Sequence, residues 1–210
     1  MTLRTSRPLL LVLALLLLTA CGGNSSGVLF YDRFGNPNSG WGSEGKEAYD
    51  RGYQEGEYFI EVYEPDWFVW AGPGKRFGDV VVAVDARRVS GAGHFGLICR
   101  YRAPADFYYF AVTDDGYYAI MRVRDSHPKI LSGAGFLPSA DIPTGAAVYH
   151  LRAVCQGERL QLFVNDRLVA SVADKTFHRG DVGLGVGAGP EGSIRVHFDN
   201  FKVTAPEEGE

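Results

Sequence analysis

The sequence predicts an all-β protein built as a sandwich or barrel of antiparallel sheets, and three observations lead there. Apolar and polar residues alternate in short bursts along nearly all of the chain beyond residue 27, the period that buries one face of a strand. The 27 glycines and 10 prolines fall mostly between those bursts, as turn punctuation and not as a low-complexity block,. No window carries an apolar stripe at helical spacing long enough to make a helix. The pattern is clearest over residues 93–124, GHFGLICRYRAPADFYYFAVTDDGYYAIMRVR. There, Ala103-Pro104-Ala105-Asp106 and Asp114-Asp115-Gly116 separate three alternating bursts, and an Asp-Gly pair between two bursts is a hairpin signal.

In chain order, residues 28–34 (VLFYDRF) form a first short strand, and 35–45 a turn-rich loop holding Trp41. Residues 46–53 and 57–63 read as strands joined through Gln54-Glu55-Gly56, and 67–71 as a brief aromatic strand ended by Pro73-Gly74. Residues 77–89 place Val80, Val82, Val84 and Ala86 on one face, as a long β-branched strand does,. A loop over 132–145 follows the three central bursts. Residues 149–155, 160–164 and 168–172 then alternate cleanly, with turns at Gln156-Gly157-Glu158 and Asn165-Asp166, and 181–187 and 194–203 complete the set. Short strands with turn signals at close intervals are the signature of a two-sheet sandwich or a barrel. There is no internal repeat.

The start of the chain points to a compartment. Arg4 and Arg7 precede an apolar run over 8–18 that is too short and wrongly flanked for a spanning helix,. Leu18-Thr19-Ala20-Cys21 resembles a bacterial lipobox, cut before Cys21 with lipid attached to its thiol; an ordinary signal peptide cut after Ala20 is the alternative. Position 22 is Gly, so the Asp that retains some lipoproteins in the inner membrane is absent. The expected organisation is a signal peptide over 1–20, a lipidated cysteine and tether over 21–27, one domain over 28–204 and an acidic tail over 205–210. Removing residues 1–20 takes two arginines and no acid, leaving 19 basic against 25 acidic residues and a charge of −6. This mildly acidic chain has no basic stripe, which argues against nucleic acid as a partner. The expected location is a bacterial cell envelope, outside the cytoplasm and anchored to membrane through lipid.

The blocks GLICRY, YYFAVTDDGYYAI, YHLRAVCQGERLQLFVNDRLVASVAD, GDVGLGVG and VHFDNFKV occur in that order, after an opening YDRFGNPNSGW. Together they resemble the concanavalin A-like lectin/glucanase superfamily, above all its laminin-G-like and family-16-glycosidase-like bacterial modules, over nearly all of residues 28–203. The resemblance implies a jelly roll of two antiparallel sheets, one of them concave. Lectins, glycosidases and adhesion modules share that fold, so it does not by itself give a function.

With Cys21 taken by lipid, Cys99 and Cys155 remain as an even pair in an oxidising compartment, which favours a disulfide,. Cys99 shares a face with Phe95 and Leu97, and Cys155 with Leu151 and Ala153, so the bond would cross the interior; two separate buried thiols are the alternative. Family-16 glucanases carry Glu-x-Asp-x-x-Glu on one strand, and the chain lacks it. Glu55, Glu57 and Glu61 come nearest, and alternation makes them a solvated strand face. Residues 91–96 match Gly-x-Gly-x-x-Gly but precede a strand, so no helix N-terminus would meet a phosphate,. The five histidines are scattered, none at ligand spacing from another.

A binding reading fits better. If Cys99 points inward, alternation sends Arg100 outward, with Tyr109, Tyr118 and Arg122 beside it and Trp67 and Trp70 at the rim. Flat aromatic rings with arginine forks nearby suit the faces and hydroxyls of a sugar; the other reading is that these tyrosines fill the interior. No cofactor is expected unless calcium is bound, for which Asp32, Asp199 and Asn200 are partial candidates, short of the six to eight oxygens calcium takes. The leading function is thus a surface-anchored carbohydrate-binding or adhesion module, with a glycan or envelope component as partner. A glycoside-acting enzyme and an envelope scaffold are the alternatives.

Overall fold

The computed structural model describes residues 27–103 and 105–207; the expected leader and Cys21 lie outside the described residues. These residues form seventeen strands and no α-helix. The first seven are β1 (Val28–Asp32), β2 (Glu44–Gly45), β3 (Tyr49–Gln54), β4 (Glu57–Val62), β5 (Phe68–Ala71), β6 (Arg76–Phe77) and β7 (Val80–Gly91). Then come β8 (Gly93–Arg102), β9 (Asp106–Thr113), β10 (Tyr117–Arg124), β11 (His127–Ile130) and β12 (Leu137–Pro138). The last five are β13 (Tyr149–Gln156), β14 (Arg159–Val164), β15 (Arg167–Ala173), β16 (Gly180–Ala188) and β17 (Ile194–Thr204).

All pairings are antiparallel and fall into two sheets. The larger runs β15-β14-β13-β7-β17-β4-β3-β2, and β1 also pairs with β17; the smaller runs β11-β10-β9-β8-β16-β5, with β12 beside β10 and β6 beside β16. β4 takes the first half of β17 and β1 the second, on either side of a bulge where Asn200 adopts a left-handed conformation (φ 55°). The sheets pack face to face. Val80, Val82, Val84 and Ala86 of β7 and Leu151, Ala153 and Cys155 of β13 meet Phe95, Leu97 and Cys99 of β8 and Tyr108, Phe110 and Val112 of β9, all buried. This interdigitation of two inner faces removes apolar surface from water and is the main source of stability.

Cys99 and Cys155 are bonded, with Cα atoms 6.9 Å apart, so the bridge joins β8 of the smaller sheet to β13 of the larger. β11 and β12 went unseen in the sequence because Pro128 and Pro138 interrupt them. A proline cannot donate to a ladder, and it is tolerated here because both short strands lie at the edge beside β10,.

Candidate functional site

The site is the outer face of the smaller sheet, and its shape follows from small residues. In register, Trp70 of β5, Gly185 of β16, Gly96 of β8, Ala111 of β9 and Ala119 of β10 form one row across five strands. Four small residues in a row make a trough, and larger side chains from neighbouring rows lean over it. A Cβ on Gly185 would lie 2.7 Å from Phe68 Cζ and 2.9 Å from Tyr109 Cε2, and one on Gly187 2.4 Å from His94 Nε2. These two glycines are therefore required for close approach of the rings.

The rings form a continuous surface. Phe68 stacks on Trp70 (6.2 Å between centroids) and on Phe107 (6.0 Å), and meets Tyr109 edge-on at 4.9 Å. His94 lies 6.0 Å from Phe68 and 5.4 Å from Phe136, which folds over from the segment before β12. With Met121, Val123, Asp66 and Ser126 they bound a cleft of about 380 Å³,. Tyr109 is 2 % exposed; its hydroxyl donates to Gly185 O (3.2 Å), and burial pushes the phenol well above its ordinary pKa. The same hydroxyl lies 3.1 Å from His94 Nδ1, and burial lowers the imidazole pKa to about 4.

Of the residues expected to share one face, the structure puts Tyr109 and Trp70 on this surface and the others elsewhere. Tyr118 and Arg122 lie on the inner face of β10. A two-residue Asp115-Gly116 turn would set Tyr109 opposite Arg122. The observed loop is one residue longer, with Tyr117 N bonded to Thr113 Oγ1 at 3.0 Å and Gly116 at φ 96°. Met121 therefore faces Tyr109, and Arg122 faces Tyr108. That one-residue change inverts the strand. Inside, Arg122 donates to Asp174 (2.7 Å) and Thr176 (2.9 Å), and Tyr108 donates to the same Asp174 (2.6 Å).

Arg100 leaves the outer face for a different reason. A bulge follows Cys99, Arg100 takes a left-handed conformation (φ 56°), and its side chain turns inward to 1 % exposure,. It donates to Gly157 O (2.9 Å), Phe177 O (2.7 Å) and Asp79 (2.9 Å), tying three loops together. Trp67, 51 % exposed, stands at a second groove with Lys46, Tyr49 and Arg51, which shares Phe68 and Trp70 with the cleft.

The calcium candidates do not form a donor set. β1 and β17 do pair, but Asp32 accepts Phe34 N (2.8 Å) and Trp41 Nε1 (2.9 Å), using both carboxylate oxygens. Asp199 caps Asn200 N (2.7 Å), and Asn200 bridges Tyr31 and Asp85. Among the described residues, no group of three or more His, Cys, Asp or Glu is placed to hold a metal. Glu57 and Glu61 belong to the larger sheet, away from the cleft. Glu57 pairs with Arg87 (2.7 Å) and His197 (2.6 Å), and Glu61 with Arg195 (2.5 Å). Desolvation lowers the pKa of His197, the imidazole at the centre of that network.

Sequence reasoning missed Phe68, His94, Phe107 and Phe136. The signal that would have found the trough is DVGLGVG in β16, a glycine at every second position of a strand. No protein-family model and no curated protein matches the sequence. Solved structures do. The carbohydrate binding module CBM66 from Bacillus subtilis matches at 17% identity over 83% of this chain and 95% of its own, with a TM-score of 0.56. A Bacillus subtilis protein of unknown function with a galectin-like fold matches at 12% identity over 84% and 95%, with a TM-score of 0.60. The Bacillus licheniformis beta-glucanase matches at 13% identity over 87% and 100%, with a TM-score of 0.57. By fold, this chain is a concanavalin A-like jelly roll of two antiparallel sheets.

Proposed function

We propose that the protein is a glycan-binding module, held at the bacterial cell envelope by lipid on Cys21, and that it binds sugars without cleaving them. The observation that carries the reading is the aromatic trough on the outer face of the smaller sheet, where the partly exposed Phe68, Trp70 and Phe136, packed on buried Phe107, offer rings to the apolar faces of pyranose sugars,. Two structural neighbours support it by what they are named, a carbohydrate binding module and a beta-glucanase. Glycosidases place two carboxyl groups about 5 to 9.5 Å apart across the bond they cut. Among the described lining residues the cleft has one, Asp66, which supports binding over hydrolysis.

Trp70 and Phe136 are only partly buried, so both can be truncated without opening the core. Against a glycan array, the Trp70→Ala, Phe136→Ala variant should lose roughly 10- to 100-fold in affinity, the usual cost of removing aromatic contacts, while its thermal midpoint stays near the parent's. Unchanged binding would place the site elsewhere. For the anchor, Cys21→Ser should move the protein from the membrane to the soluble fraction; retention in the membrane would count against lipidation.

A further inference from the structure

Arg100 and Arg122, the cations that sequence alternation placed beside a sugar ligand, both turn away from the trough. Among the described residues the cleft lining holds no lysine or arginine, and its one charged group is the carboxylate of Asp66. A carboxylate or sulfate entering it would give up water without meeting a counter-charge, an unfavourable exchange.

The polar group set among the rings is His94, and the hydrogen-bond chain beneath it fixes its role. Gly185 O can only accept, so the single Tyr109 hydroxyl proton goes there,. With the proton directed there, Tyr109 Oη is free to accept from His94 Nδ1, and the proposal below rests on that tautomer,. Nε2 is left with a lone pair and without a hydrogen-bond partner among the described residues. Burial keeps the ring neutral at ordinary pH.

Resting on the glycan reading above, we propose that the cleft selects uncharged sugars and that His94 Nε2 accepts a hydrogen bond from a ligand hydroxyl. The selection has two parts. Ring faces without cations reject uronates and sulfated sugars, and an acceptor nitrogen requires a donor on the sugar ring lying over Phe68 and Phe136.

Matched aryl glycosides that differ only at C6 test this: phenyl β-glucoside against phenyl β-glucuronide, and the galactose pair likewise. The purified protein, carrying ¹⁵N-labelled histidine, is titrated with each. The neutral member of a pair should bind at least tenfold tighter, and the His94 Nε2 resonance should be that of an unprotonated nitrogen that shifts on binding. His94→Phe, which keeps a ring on Gly187, should weaken the neutral ligand about tenfold or more, as loss of a polar anchor does. Equal or tighter binding of the uronate would overturn the selection while leaving the glycan reading intact. A protonated Nε2 in the free protein would overturn the role of His94, even if the variant fails to fold. If neither the glycosides nor an array of neutral and acidic polysaccharides binds, the glycan reading falls and this inference with it.

Discussion

His94 carries a cost in acid that can be measured without any ligand. Its pKa is lowered from 6.5 to about 4 in the folded protein, so as pH falls the unfolded chain takes up the proton first. Stability from this group is therefore whole above about pH 6.5 and is lost toward pH 4, by up to roughly 3 kcal/mol. Urea unfolding at pH 7.5 and pH 4.5 should show a smaller acid loss for His94→Phe than for the parent, and equal losses would sink the assignment. The comparison must be made against that variant because half-buried Asp181 acts with the opposite sign. Desolvation raises its carboxyl pKa even as it accepts Gly74 N and Lys75 N at 2.8 Å, so protonation costs the folded state less there. At this scale the sequence showed which residues are aromatic and cationic but not where they point. Arg100 sits in an unbroken alternation, and only the bulge after Cys99 turns it inward.

Among the elements, β16 shapes the trough by what it omits. Gly187→Ala would put a methyl 2.3 Å from His94 Cε1 and 2.4 Å from Nε2. The ring cannot remain against Tyr109, so a loss of about 1 to 3 kcal/mol is expected, the usual range for overpacking. Chemical denaturation should show it, with a displaced His94 imidazole resonance; an unshifted resonance would mean that the ring does not lie on this glycine. The hairpin of β9 and β10 explains how much of the site was legible. Alternation gave both strands and their apolar content, and the Asp-Gly pair gave the turn. The face of β10 depends on one further fact, whether Tyr117 closes the turn opposite Asp114 or opposite Thr113. The hydrogen bond from Tyr117 N to Thr113 Oγ1 selects Thr113, which no periodicity encodes. Strand β7 had no such dependence, since Val80, Val82, Val84 and Ala86 must share whichever face is buried.

For the whole molecule, one disulfide among the described residues crosslinks the two sheets, in addition to the chain that passes between them. The bond between Cys99 and Cys155 spans a separation of 56 residues, and closing a loop of that size stabilises by about 4 kcal/mol on a chain-entropy account. The Cys99→Ala, Cys155→Ala variant should keep its fold, because the packed inner faces remain, yet lose about 2 to 5 kcal/mol in urea titration. A parent that is equally weakened by reductant would match it, and a variant as stable as the parent would mean the bridge is dispensable. The pairing of β1 with β17 has a mechanical side. Val28 lies opposite Thr204, and Ala205 N bonds to Gly27 O (3.2 Å), so the first and last described strands begin and end side by side. A pulling force applied between those two ends would load the ladder one rung at a time and not in shear. Strand β1 should peel away at low tension, drawing Phe30 off Phe201, before either sheet yields.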